Sequence, residues 1–230
     1  MMAADSAAPI ERPVHTRTQH AIRLLVLMDR TAEAVADGDP PMAVKAVRSE
    51  LRLQAMDFWM RNPDYLADQL ISAVESGALA AGMLDIAQSL LDDPEPDLHY
   101  YPMPRWFYGA YEAIDDAMAL LETYGLATFR RSGAPGSKSH RNQMFLTAAG
   151  EQAVGELAAD PVLGWYVRQA ELVALVAGDT VGYKLKERQY EQATYAGTVL
   201  GLNIAPIAEH VRKRLDGLRS GAAASRGGGV

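Results

Sequence analysis

Four cations fall between positions 130 and 141 with no acid among them: Arg130, Arg131, Lys138 and Arg141, with His140 beside the last. They flank SGAPGSKS at 132–139, a stretch of turn-forming residues. Cationic side chains around a glycine-rich tip suit contact with phosphate oxygens or with a minor groove. The other charged groupings carry less chemistry. Asp64 and Asp68 are one helical turn apart and have the spacing of paired acids, but no histidine or second carboxylate motif completes an acid–base set, so they read as a solvated helix face. The clusters Lys184, Lys186, Arg188 and Arg212, Lys213, Arg214 interleave with Glu187, Glu191, Glu209 and Asp216. They read as solvated helix faces with i,i+4 pairs.

Three cofactor chemistries are excluded by spacing. Asp92, Asp93, Glu95 and Asp97 are too interrupted by Pro94 and Pro96 to project from one helix toward a metal ion, and read as an exposed acidic loop. GAPGSKS at 133–139 lacks the glycine directly before lysine that a phosphate-binding loop requires. The five histidines show no metal-ligand spacing, and the absence of cysteine removes thiol nucleophiles, zinc–thiolate sites and disulfides. The expectation is a non-enzyme with no metal and no cofactor.

The formal net charge of −7 is unevenly spread. Residues 1–128 hold 9 Lys/Arg against 20 Asp/Glu, whereas residues 129–230 hold 13 against 9. The first part is therefore −11 and the second +4, and a basic segment within an acidic chain remains compatible with a polyanion. No apolar run approaches the roughly 20 residues of a membrane span, and the N-terminal stretch MMAADSAAPIERPVH has neither the basic nor the apolar region of a secretory signal. A cytoplasmic location without membrane contact is expected.

Most of the chain has helical periodicity. Residues 1–16 read as a disordered arm and 220–230 as a disordered tail. Leu25, Met28, Ala32 and Val35 predict a helix over 17–37. Asp39 before Pro40-Pro41 predicts an N-cap opening a second helix that ends near Asn62-Pro63. Further helices are expected at 63–77, 79–92, 105–124, 161–177, 179–200 and 203–219. In the last, Ile204, Ile207, Val211, Leu215 and Leu218 form a narrow seam, suited to a helix contact within the monomer or across a homodimer. Between 105–124 and a helix capped by Thr147, residues 126–131 and 140–146 alternate as paired strands.

The segment AIDDAMALLETYGLATFRRSGAPGSKSHRNQMFLTAAGEQAV, residues 113–154, resembles the winged helix-turn-helix of bacterial regulators of the MarR and PadR type, through LLETYGL, the basic hairpin and LTAAG. The resemblance covers about 42 of the 230 residues. It implies a mainly α fold with one β-hairpin wing, flanked by an N-terminal helical region (17–92) and a C-terminal helical region (159–219), around a winged-helix unit at 93–158. It also implies binding of double-stranded DNA as a homodimer and transcription regulation, with Arg130, Arg131, Lys138, His140 and Arg141 on the wing. A plasmid or phage replication or partition factor on the same fold is an alternative, as is a protein-interaction module. Asp115 and Asp116 stand where that family's recognition helix offers small polar and basic side chains, so they, with Arg105, are candidates for a secondary DNA or partner contact. Trp106, Phe107 and Tyr111 read as core.

Overall fold

Five consecutive apolar residues, Leu24–Met28, are all buried. A helix that hides its whole circumference must sit at the centre of a fold, and α1 (Arg17–Thr31) does. In the computed structural model, which describes residues 17–92, 103–132 and 141–227, α1 packs against α2 (Glu50–Arg61), α5 (Asp115–Thr123), α6 (Ala148–Ala159) and α7 (Gly164–Ala177). The described residues are mainly helical, with ten helices and a small antiparallel sheet. None of these helices is long and apolar enough to cross a membrane.

Helix α1 stops six residues short of its predicted end. Thr31 Oγ1 donates back to the Leu27 carbonyl at 2.6 Å, and the chain leaves as a short strand, β1 (Glu33–Ala34). Residues 40–48 are not helix either. Pro40-Pro41 form a turn in which Ala43 N–H donates to the Pro40 carbonyl, and Ala43–Val47 extend as β2. The N-cap of α2 is Ser49, whose hydroxyl accepts from Arg52 N–H, rather than Asp39. Strand β2 is held by pairing across the chain with β6 (Arg141–Thr147), which in turn pairs with β5 (Ala127–Ser132), giving the order β1-β2-β6-β5. The sheet thus crosses the boundary expected at 92/93, and the hairpin is framed by the N-terminal region.

Helix α3 (Pro63–Glu75) begins on Pro63 and leads to α4 (Met83–Asp92). The stretch expected as helix at 105–112 is instead a tight hairpin, β3 (Arg105–Trp106) and β4 (Gly109–Ala110). Gly109 has φ +97°, and a Cβ there would lie 2.4 Å from the Tyr195 hydroxyl oxygen, so the site demands both a left-handed backbone and no side chain. The C-terminal third holds α7, α8 (Gly182–Tyr190), α9 (Ala193–Gly197) and α10 (Ala208–Gly227). The predicted helix 179–200 breaks at Glu191-Gln192, which turns Tyr195 inward against Phe58, Tyr65 and Tyr190 edge to face. Helix α10 continues through the alanines expected to be a loose tail, residues of high helix propensity. The helix starts at Ala208 rather than 203, so Ile204 and Ile207 precede it; with Val211 and Leu215 they are buried within the chain, and α10 packs on α3 and α4, so that seam is spent inside the monomer.

Two groups read as solvated are buried. Asp64 Oδ2 accepts from Ile207 N–H at 2.5 Å, just ahead of α10, while Asp68 pairs with Arg214 Nη1 at 2.5 Å. The pair of acids therefore docks the last helix instead of serving as an acid–base set. Lys186 is likewise buried, its ammonium donating to the Ala110 carbonyl at 2.6 Å. Burial pushes its pKa down to about 7, against the opposing charge of Asp57.

The centre of the helical layer is ionic. Asp57 on α2 is 1% exposed; Arg23 Nε on α1 lies 3.3 Å from one of its oxygens, and Arg61 Nη1 lies 3.5 Å from the other. His20 Nε2 stands 3.8 Å away, and Arg61 also pairs with Glu112, just ahead of α5. Gln54 closes the cluster by donating to the Glu112 carbonyl and accepting from its N–H. Replacing Asp57 with Asn leaves buried cations without their counter-charge, and should cost about 3–5 kcal/mol in a urea titration. His20 adds a pH dependence. Burial lowers its pKa from 6.5 to about 4, so the folded protein keeps it neutral while the unfolded chain takes up a proton. Stability is full above pH 6.5 and should fall by up to about 1.4 kcal/mol per pH unit as the pH drops toward 4. His20→Gln should flatten that portion of the profile.

Candidate nucleic-acid interface

The basic hairpin is positioned by two local devices. At the end of α5 the chain reverses through Gly125, φ +68°, with Gly125 N–H donating to Glu122 and Leu126 N–H to Leu121. This left-handed closure turns LLETYGL into a helix followed by a strand. At the far end of the hairpin, Thr147 Oγ1 donates to the Gly125 carbonyl at 2.7 Å and accepts from Gly150 N–H at 3.1 Å, so one hydroxyl ties the start of α6 to the turn after α5. Gly150 lies against the Leu126 carbonyl so closely that a Cβ would stand 2.1 Å from its oxygen. Thr147 and Gly150 of LTAAG are therefore a cap and a close backbone approach, both serving the hairpin.

Strands β5 and β6 pair in continuous register from Ala127↔Leu146 to Ser132↔Arg141. Arg130 and Arg131 are successive strand residues and point to opposite faces. Arg130 lies over the Phe145 ring and reaches to the β1–β2 turn, donating to the Gly38 carbonyl at 2.8 Å and to Asp39 Oδ1 at 3.2 Å, with Gln143 Oε1 also within hydrogen-bond distance. Arg131 stacks on Phe129 and pairs with Asp115 at the start of α5. Asp39, read from sequence as a helix cap, is thus the counter-ion of Arg130. It also takes a two-pronged contact from Arg48 at 2.7 and 2.5 Å. Hydrogen bonding by Arg48 holds its carboxyl well below the usual carboxylate range.

The hairpin that looked unopposed in sequence is therefore opposed in space, by acids 91 and 16 residues away in the chain. Long-range pairing of this kind leaves no local sequence signal, and Asp39 and Arg48 were both missed. Lys138 and His140 lie outside the described residues; Arg141 opens β6 opposite Ser132. Arg105 is not brought to this surface. Its guanidinium donates to the Thr198 carbonyl and lies over Tyr190, beneath the β3–β4 hairpin.

The helix beside the hairpin is acidic on its outer face. Asp115, Asp116 and Glu122 are exposed, whereas Ala117, Met118 and Leu121 face the core. Two of the three acids have structural roles. Asp115 holds Arg131, and Glu122 Oε1 accepts from Phe129 N–H at 2.7 Å, fixing the first turn of β5 to α5. Among the described residues no group of three or more His, Asp or Glu side chains is placed to hold a metal ion. No family model matches the chain, and no curated protein or solved structure matches it.

The two kinds of hairpin support should separate on mutation. Gly150→Ala forces a methyl group into the Leu126 carbonyl and should lower stability by about 1–3 kcal/mol. Asp115→Ala removes only an exposed ion pair and should change it by less than about 1 kcal/mol. Thermal melts of the two variants check both.

Proposed function

We propose that this chain is a winged-helix protein that binds duplex DNA through its β5–β6 hairpin, in the service of transcription regulation. The observation that carries the reading is topological. A helix, a strand, a second helix, and then α5 running straight into a hairpin, with strands ordered β2-β6-β5, is the arrangement expected of a winged helix. β1 precedes that strand at the sheet edge, and α3, α4 and the β3–β4 hairpin are inserted between the second helix and α5. On this reading the wing does the binding and α5 does not read bases. Exposed carboxylates at its start repel a phosphate-lined groove, whereas Arg131 is exposed and needs only to exchange Asp115 for a phosphate oxygen. Lys138 and Arg141, with His140 between them, add positive charge to the same stretch of sequence.

A second reading has one observation in its favour. Asp115, Asp116 and Glu122 share the exposed face of α5, which suits a cationic protein partner on the same fold. The readings separate in one titration series. DNA binding through about three phosphates should weaken about 40-fold between 50 and 200 mM salt, from a log–log slope of about −0.9 per phosphate. Arg131→Glu, Lys138→Glu and Arg141→Glu together should abolish it, and Arg130 is spared because it braces the β1–β2 turn. Unchanged affinity in the triple variant overturns the wing contact. Asp115→Asn with Asp116→Asn should tighten DNA binding but weaken a cationic partner.

A further inference from the structure

The β3–β4 hairpin presents at its two-residue tip the most exposed aromatic pair among the described residues. Phe107 is 80% and Tyr108 82% exposed, and Trp106 beside them is 45% exposed; with Tyr111 at 40%, Trp106 and Phe107 depart from the core role read for these three from helical spacing. Such a tip is not a loose loop. Arg105 N–H donates to the Leu202 carbonyl at 2.9 Å, Gly201 N–H returns to Arg105 at 2.7 Å, and Ile204 N–H reaches Met103 at 3.0 Å, so the hairpin gains a third, strand-like neighbour at 201–204. Beneath it, Lys186 donates to the Ala110 carbonyl and the Tyr195 hydroxyl accepts from Ala110 N–H at 2.7 Å. The Trp106 ring lies against Gly201, and the neighbouring loop exposes Val199, Leu200 and Leu202. The fold spends buried polar contacts to hold a rigid aromatic knob next to an aliphatic loop.

We propose that this patch is the contact surface for a second copy of the chain, in a two-fold dimer where each copy's Phe107 and Tyr108 pack on the other's Val199, Leu200 and Leu202. Three observations select this occupant. These five side chains and Trp106 are uncharged, and the two cations under the hairpin are committed, Arg105 to the Thr198 carbonyl and the Tyr190 ring and Lys186 to the Ala110 carbonyl. Nucleic acid and anionic lipid both require cations beside the aromatics, and these residues supply none. The area fits: six side chains at these exposures present on the order of 700 Å², against about 800 Å² per partner in a standard interface. A knob and a neighbouring loop of matching character on one chain are also what an isologous contact needs, since each element meets its counterpart twice. A copy of net charge −7 repels another at long range, and a charge-free patch is where that repulsion is least.

Sedimentation velocity on the full chain tests this from low micromolar to about 100 µM. The expected species has twice the 24.9 kDa chain mass. Phe107→Ser with Tyr108→Ser should weaken the dimer at least about 30-fold, the cost of losing one central aromatic anchor, with unchanged circular dichroism and, at concentrations where the parent is monomeric, an unchanged Tm because both side chains are exposed. Leu200→Ser with Leu202→Ser, on the opposing element, should weaken it too. A monomer throughout the range overturns the proposal, and binding of an oligothymidylate or of anionic vesicles by that monomer, lost in Phe107→Ser with Tyr108→Ser, would assign the patch to those ligands instead. A dimer undiminished in both variants overturns it equally.

Discussion

A carboxylate with 1% exposure at the centre of a helical layer constrains everything around it. Asp57 would be driven toward its neutral form by burial alone, but Arg23 and Arg61 outweigh that and hold its carboxyl below the ordinary range. Taking such ions out of water costs several kcal/mol each unless geometry is tight, so the elements carrying them cannot slide. Helix α1 is fixed through His20 and Arg23, α2 through Gln54, Asp57 and Arg61, and the approach to α5 through Glu112. The path from α4 back to α5 must end at one place, because Glu112 meets both Arg61 and Gln54 there. The β3–β4 hairpin, immediately before Glu112, is located by the same constraint and completed by Lys186 and Tyr195.

Once α5 is placed, the hairpin after it has little freedom. Gly125, Thr147 and Gly150 form a backbone junction in which α5, β5, β6 and α6 share the carbonyls of residues 125 and 126. The remaining side of the sheet is closed electrostatically by Asp39, gripped by Arg48 and Arg130. Cations of the hairpin thus have two duties. Arg130 is buttressed by protein partners and serves shape, while Arg131 is held by an exposed carboxylate that a phosphate can replace.

What the sequence made legible follows the range of the forces involved. The junctions around 125 and 147, the Pro63 helix start and the strand pair 127–132 and 141–147 were readable, because glycine, proline and capping hydroxyls act on their immediate neighbours. The strand at 43–47 was not, since its conformation depends on an edge of β6 about 100 residues away. Residues 105–112 carry helix-compatible spacing, but Gly109 must fit between Tyr195 and Lys186, a demand written on α8 and α9. Asp64 and Asp68 looked solvent-facing because their partners lie just before α10 and on it. Of the site, the positive charges were visible and their counter-ions were not.

The two hairpins show opposite uses of one motif. In β5–β6, long-range ion pairs quench Arg130 and Arg131, so the local charge of the sequence overstates what a polyanion meets. In β3–β4, buried polar contacts are invested in a tip that buries almost nothing of its own. Exposed Phe and Tyr forgo roughly 1.5–3 kcal/mol each of available burial, while the Lys186 ammonium below them is dehydrated to support the turn. A chain that accepts both penalties at the same place gains no monomer stability from the tip. The second copy proposed for this patch would restore that burial.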